Sequence, residues 1–119
     1  MSPESLRQLI ENCTKSNIRT LGWPRDWNPF SVKRPGEDNF FPYFNDASAW
    51  EFIAEKLTAG HPYQEIKLDN PKGAPAIVME IVISSLPTDP KLYIKIQIGA
   101  GNAPIGRSFH ISEHSRNTG

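Results

Sequence analysis

Two short connections constrain this chain more than anything else in it. Ile77–Ser84, Leu92–Ile98 and Ile105–Ser112 each read as a strand, rich in β-branched and other apolar residues. Only Leu86–Pro90 and Gly99–Pro104 turn the chain between them. A crossover between parallel neighbours needs about a dozen residues or more, so the three strands are expected to form an antiparallel meander. Within the middle strand, Leu92, Ile94, Ile96 and Ile98 fall on one face, and Tyr93, Lys95 and Gln97 on the other. A weaker strand is expected at Tyr63–Leu68, followed by a turn at Asn70–Pro71–Lys72–Gly73.

The aliphatic face of such a sheet needs a cover, and two segments have helical spacing. Ser2 and Pro3 suit a helix start, and Leu6, Leu9, Ile10 and Cys13 recur on one stripe that should end near Lys15. That places Cys13 in the core as a packed thiol rather than a nucleophile. Asp46 is suited to cap a second helix, with Trp50, Ile53, Ala54 and Leu57 as its apolar stripe and Gly60 as its terminator. His61, just after it, reads as a turn residue. The expected fold class is therefore α+β: two N-terminal helices packed on a three- or four-stranded antiparallel sheet whose other face stays partly open.

Residues 20–45 follow neither period. They hold four prolines, two glycines and seven aromatics, too aromatic for a linker. The expectation is a long ordered loop pinned by Trp23, Trp27, Phe30, Phe40, Phe41, Tyr43 and Phe44, with a binding surface as the other reading. The last residues, 113–119, should fray. Residues 1–119 fit one compact domain in size.

Composition narrows the function classes. Thirteen basic and thirteen acidic residues cancel, but residues 1–36 carry +3, residues 37–90 carry −6 and residues 91–119 carry +3. This rules out a uniformly basic coat for nucleic acid and leaves room for a local basic cleft. No apolar run approaches the roughly 20 residues of a membrane span, and one cysteine makes no internal disulfide, so a cytoplasmic, membrane-free protein is expected. The sequence has no GxGxxG after a strand, no GxxxxGK[ST] and no HExxH, and no cofactor is expected. His110 and His114 are four residues apart, about 13 Å on a strand, too far for one metal ion, and no metal is expected either.

The polar residues of the last strands carry more chemistry. Ser108, His110 and Ser112 share a face, while Ile105, Phe109 and Ile111 mark the other as apolar, with Arg107 grouped among them by parity or, near the hairpin end, snorkelling outward. Antiparallel pairing can bring His110 beside Tyr93 or Lys95. A metal-free ribonuclease needs a proton acceptor for the 2′-hydroxyl, a donor for the departing 5′-oxygen, and cations around the phosphate. His110 suits the proton transfer, Lys95 and Arg107 suit the phosphate, and Tyr93 suits a hydrogen bond or a stacked base. Glu65 and Glu80 are weaker candidates as bases. The plain alternative is a sheet face with ordinary polar side chains.

LYIKIQI followed by a short loop and IGRSFHIS resembles the carboxy-terminal part of the motility-quorum-sensing-regulator toxins. That family comprises small messenger-RNA interferases of RelE-like fold, each paired with an antitoxin. Its members have a Tyr-x-Lys strand leading to a strand that ends Ser-Phe-Lys, where this chain has Ser108–Phe109–His110. An earlier Trp-Gln-Asp-Val-like strand is similar in type to Tyr63–Gln64–Glu65–Ile66. The similarity covers roughly residues 50–112 and implies that Gln64, Tyr93 and His110 line an RNA-cleaving site. The family's last Lys is His here, and its helical Lys has no match in register, Lys56 lying about one turn away. The stretches 20–45 and 71–90 also depart from the family.

The resemblance implies a RelE-like or microbial-ribonuclease-like arrangement. With the residue chemistry it points to a metal-independent endoribonuclease toxin cleaving single-stranded RNA or messenger RNA, free or on the ribosome, under the restraint of a cognate antitoxin. The alternative is a non-catalytic protein-interaction domain, antitoxin- or immunity-like, that uses the aromatic stretch or the acidic middle region.

Overall fold

A computed structural model describes residues 1–32, 44–82 and 91–112. Helix α1 spans Pro3–Cys13 and helix α2 spans Asp46–Thr58. Five strands, β1 (Thr20–Trp27), β2 (Gln64–Asp69), β3 (Lys72–Ile81), β4 (Leu92–Ile98) and β5 (Pro104–Ile111), form one sheet in the order β1-β5-β4-β3-β2. Strands β2, β3, β4 and β5 pair in succession antiparallel, and β1 runs parallel to β5. The expected meander and helical cover are present. The sheet is nonetheless wider than three or four strands, and it is mixed.

The local signals act as their chemistry requires. Ser2 caps α1 by accepting from the Ser5 amide at 3.1 Å. The cap of α2 is Asn45, not Asp46: its side chain accepts from the Ser48 amide while the Ser48 hydroxyl accepts from the Asn45 amide, a reciprocal box. Gly60 follows the Ala59 cap with φ of 83°, a conformation that glycine adopts without a Cβ clash. His61 bonds the neighbouring Pro62 carbonyl, a local turn contact.

Leu9 and Cys13 of α1, and Ala49, Trp50, Ile53 and Leu57 of α2, pack onto Ile77, Met79, Ile81, Leu92, Ile94, Ile96 and Phe109. Each buried large side chain contributes roughly 1.5–3 kcal/mol relative to exposure. Burial pushes the Cys13 thiol up to about 12, with the Arg19 charge pulling weakly the other way, so the thiol is inert at neutral pH. Asn12 Nδ2 donates to the carbonyls of Gly101 and Asn102, tying α1 to the β4–β5 connection. Among the described residues, no helix is long and apolar enough to cross a membrane.

The aromatic stretch is the main correction. Residues 20–27 are a strand, and residues 29–31 form a 3-10 turn, where a loop was expected. Trp27 does pin the segment, 4.9 Å from Trp50 and 5.4 Å from Phe109 between ring centroids. Phe44 likewise stands edge-on to Phe109 at 5.1 Å. Trp23 and Phe30 do not: they are 71% and 58% exposed. Phe40, Phe41, Tyr43, Ile83, Ser84, the connection 86–90 and the tail 113–119 lie outside the described residues.

Candidate functional site

The face of the sheet away from the helices carries the polar residues, and strand register decides which of them meet. Tyr93 pairs directly with His110, and Lys95 with Ser108. On the other side of β4, Glu80 pairs with Tyr93 and Val78 with Lys95. Asp26 of β1 sits opposite Ser108. Two rows result, Glu80–Tyr93–His110 and Gln64–Val78–Lys95–Ser108–Asp26.

An irregularity between Lys95 and Ile96 inserts an extra residue into β5. Gly106 opposes Ile96 and Ser108 opposes Lys95, so Arg107 has no partner of its own and joins Ser108 on the polar face. The same shift brings Ile105 opposite Gln97. Parity along an unbroken strand therefore misplaces both Arg107 and Ile105, which do not face the helices. Arg107 is 5% exposed, and its guanidinium is held at three corners. Nε donates to the Pro24 carbonyl at 2.7 Å, one terminal nitrogen to Gln97 Oε1 at 2.6 Å, and the other to the Asn70 carbonyl at 2.7 Å. Arg107 is a fixed cation rather than a free clamp.

His110 is set with similar definition. Nδ1 lies 2.9 Å from the Ile111 carbonyl, an oxygen that only accepts, so this nitrogen carries a hydrogen. Nε2 faces Asp26 Oδ2 at 3.4 Å. The Asn28 side-chain amide donates to the other Asp26 oxygen and orients the carboxylate. The Tyr93 ring lies 5.5 Å from the imidazole, tilted by 32°. Burial, and then the neighbouring Glu80 charge, hold the Tyr93 phenol above its usual range, so it keeps its proton and can offer a hydrogen bond. Lys95 Nζ stands over the same ring at 5.9 Å.

Beside this group opens a depression of about 270 Å³, lined by Pro24, Arg25, Asp26, Lys95, Arg107 and Ser108. Three cationic side chains and one carboxylate thus border a single hollow, with His110 on the Asp26 side. A phosphate fits that charge pattern. Among the described residues, no three His, Cys, Asp or Glu side chains converge as a metal ion would need.

No family model matches this chain, and no curated protein or solved structure does so either.

Of the sequence candidates, Tyr93, Lys95, Arg107 and His110 come together. Gln64 does not: three strand spacings, roughly 14 Å, separate it from Ser108 in its row. It lines a second hollow of about 330 Å³ with Pro62, Tyr63, Val78 and Glu80. Glu65 faces the amino group of Met1 at 2.5 Å. Lys56, on helix α2 in the layer covering the opposite face, stands over the Phe52 ring. Asp26 was not among the candidates. Its signal was the Asp26–Trp27–Asn28 alternation, polar to either side of a core aromatic, inside a stretch whose prolines obscured any period.

Proposed function

We propose that this chain is a metal-independent endoribonuclease of the toxin type, acting on single-stranded RNA and restrained by a protein antitoxin. The carrying observation is the His110 ring held between Asp26 and Tyr93, at the edge of a hollow lined by Lys95 and Arg107. With Nδ1–H given to the Ile111 carbonyl, the neutral ring keeps its lone pair on Nε2. Nε2 takes the 2′-hydroxyl proton, the 2′-oxygen attacks phosphorus as the P–O5′ bond breaks, and the departing 5′-oxygen takes its proton from solvent water, to which the imidazolium then returns its own. The products are a 2′,3′-cyclic phosphate and a 5′-hydroxyl.

Asp26 lies 3.4 Å from the same Nε2, so its charge favours the imidazolium once the proton has arrived there. Lys95 and Arg107 offset the charge that grows on the phosphoryl oxygens. Tyr93, kept as the phenol, supplies a hydrogen-bond donor. The sequence likeness of Tyr93–Lys95 and Ser108–Phe109 to the motility-quorum-sensing-regulator motifs, whose RelE-like fold we propose for this chain as well, supports this reading, with His110 standing where that family has Lys. Gln64 lies too far from His110 to share its reaction.

The test is RNA cleavage in EDTA by wild type, His110→Ala and Asp26→Asn, with the product ends analysed. Cyclic phosphate ends, a loss of about 10²–10⁴-fold in His110→Ala, and a smaller loss with an altered pH profile in Asp26→Asn are expected. Melting curves check that both variants fold. A folded wild type that cleaves neither free RNA nor messenger RNA on ribosomes overturns the proposal, and would favour a protein-binding role for the exposed Trp23 and Phe30.

A further inference from the structure

Beside the hollow, strand β1 keeps register with β5 at Leu21, opposite Gly106, and again at Asp26, opposite Ser108. Five steps along β1 thus match two along β5, and Gly22, Trp23, Pro24 and Arg25 arch out of the ladder. The arch is anchored. Arg107 Nε holds the Pro24 carbonyl, and Gly22 sits so close that an added Cβ would lie 2.7 Å from Ile105 Cγ2 and 3.3 Å from Arg107 Cδ.

At its crest Trp23 is 71% exposed, and the Arg25 guanidinium lies over its ring at 4.1 Å. The Trp23–Pro24 bond is cis. Exposing an indole leaves much apolar surface in water, which the core below does not require, since Trp27 already closes it. The guanidinium lies over one side of the ring, whose remaining surface is largely exposed and suits a flat partner. Pro24 and Arg25 also line the cationic hollow, so the platform and the phosphate site are continuous.

We infer that Trp23, oriented by Arg25, is a nucleobase-stacking subsite for the single-stranded RNA whose phosphate occupies the Lys95–Arg107 hollow. The inference rests on the ribonuclease reading above. Trp23 lies three residues from Asp26, at most about 10 Å along the strand, so the stacked base belongs to a nucleotide near the scissile phosphate. Stacking on an indole accepts any base, so this subsite contributes affinity rather than sequence choice. Arg25 adds a second contribution, because its charge lies where the backbone enters the hollow.

The test uses an oligoribonucleotide that the wild type cleaves, then its 2′-O-methylated form, in which the nucleophile is blocked. Binding of that form to wild type, Trp23→Ala, Trp23→Phe and Arg25→Ala is measured by fluorescence anisotropy, with melting curves as a folding check. Trp23→Ala should weaken binding roughly 5- to 100-fold, and Trp23→Phe should restore part of the loss. An abasic substitution walked along the oligonucleotide should identify one position at which wild type and Trp23→Ala bind equally.

Quenching of wild-type tryptophan emission by RNA, absent in Trp23→Ala, is also expected, since Trp50 is 4% exposed and Trp27 is packed against the core. If the wild type cleaves RNA but Trp23→Ala binds it equally well, the subsite is refuted and the ribonuclease reading stands. If no RNA is cleaved or bound, both fall.

Discussion

Replacing Arg107 separates a structural cation from a phosphate clamp. The side chain joins three elements: the β1 arch through Pro24, the β2–β3 turn through Asn70, and β4 through Gln97. Each is a hydrogen bond from a charged donor, of the kind that contributes about 1.5–3 kcal/mol. Pro24 and Asn70 are exposed residues, so water replaces part of what their carbonyls lose. The net cost of Arg107→Ala should therefore be about 3–5 kcal/mol.

For a chain of this length about 1 kcal/mol moves Tm by roughly 4 °C, so a fall of roughly 12–20 °C is expected. Arg107→Lys keeps the charge but offers one nitrogen where three are needed, and should recover less than half of the loss. Thermal and urea unfolding followed by circular dichroism measure both. A shift below about 4 °C for Arg107→Ala would refute the staple.

Two further perturbations probe the same architecture. A Cβ added by Gly106→Ala would lie 2.7 Å from both Leu21 Cδ2 and Trp27 Cζ3, and Trp27 is backed by Trp50 and Phe109. It should cost about 1–3 kcal/mol, and an unchanged Tm would show that β1 packs more loosely than described. Cys13 gives a pH dependence: its thiol is near 12 in the fold against an ordinary 9.0. Between these values the unfolded thiol loses a proton that the folded one keeps, so stability falls as pH rises above about 9. Urea midpoints across that window should decline less steeply in Cys13→Ala, and equal slopes would mean the thiol is solvated.

Much of the fold was legible because its signals are local. Ser2, the Trp50–Leu57 stripe and Gly60 mark helices without reference to the rest of the chain, and the short Gly99–Pro104 connection leaves only an antiparallel pairing. The Tyr93–His110 neighbourhood follows from that pairing. Strand β1 was hidden for the opposite reason. Its partner β5 lies at the far end of the described chain, and its own alternation breaks at the arch from Gly22 to Arg25. Asp26 was hidden with it, since the residue joins His110 only through a parallel pairing that no local pattern announces.

The misplaced Arg107 shows why the site lies where it does. A strand of unbroken parity would turn Arg107 toward the core, where its charge would have no water and no partner. One extra residue in β5 instead puts Arg107 and Ser108 on the same face, side by side. Gly106, next to it, leaves room for Leu21 and Trp27 to close over the strand from β1. The displaced guanidinium then reaches the Pro24 carbonyl and fixes the arch that carries Trp23 and Arg25. The groove floor, the cation within it and the exposed indole at its rim thus depend on one irregularity in β5, because only that extra residue lets a buried arginine face the polar side of the sheet.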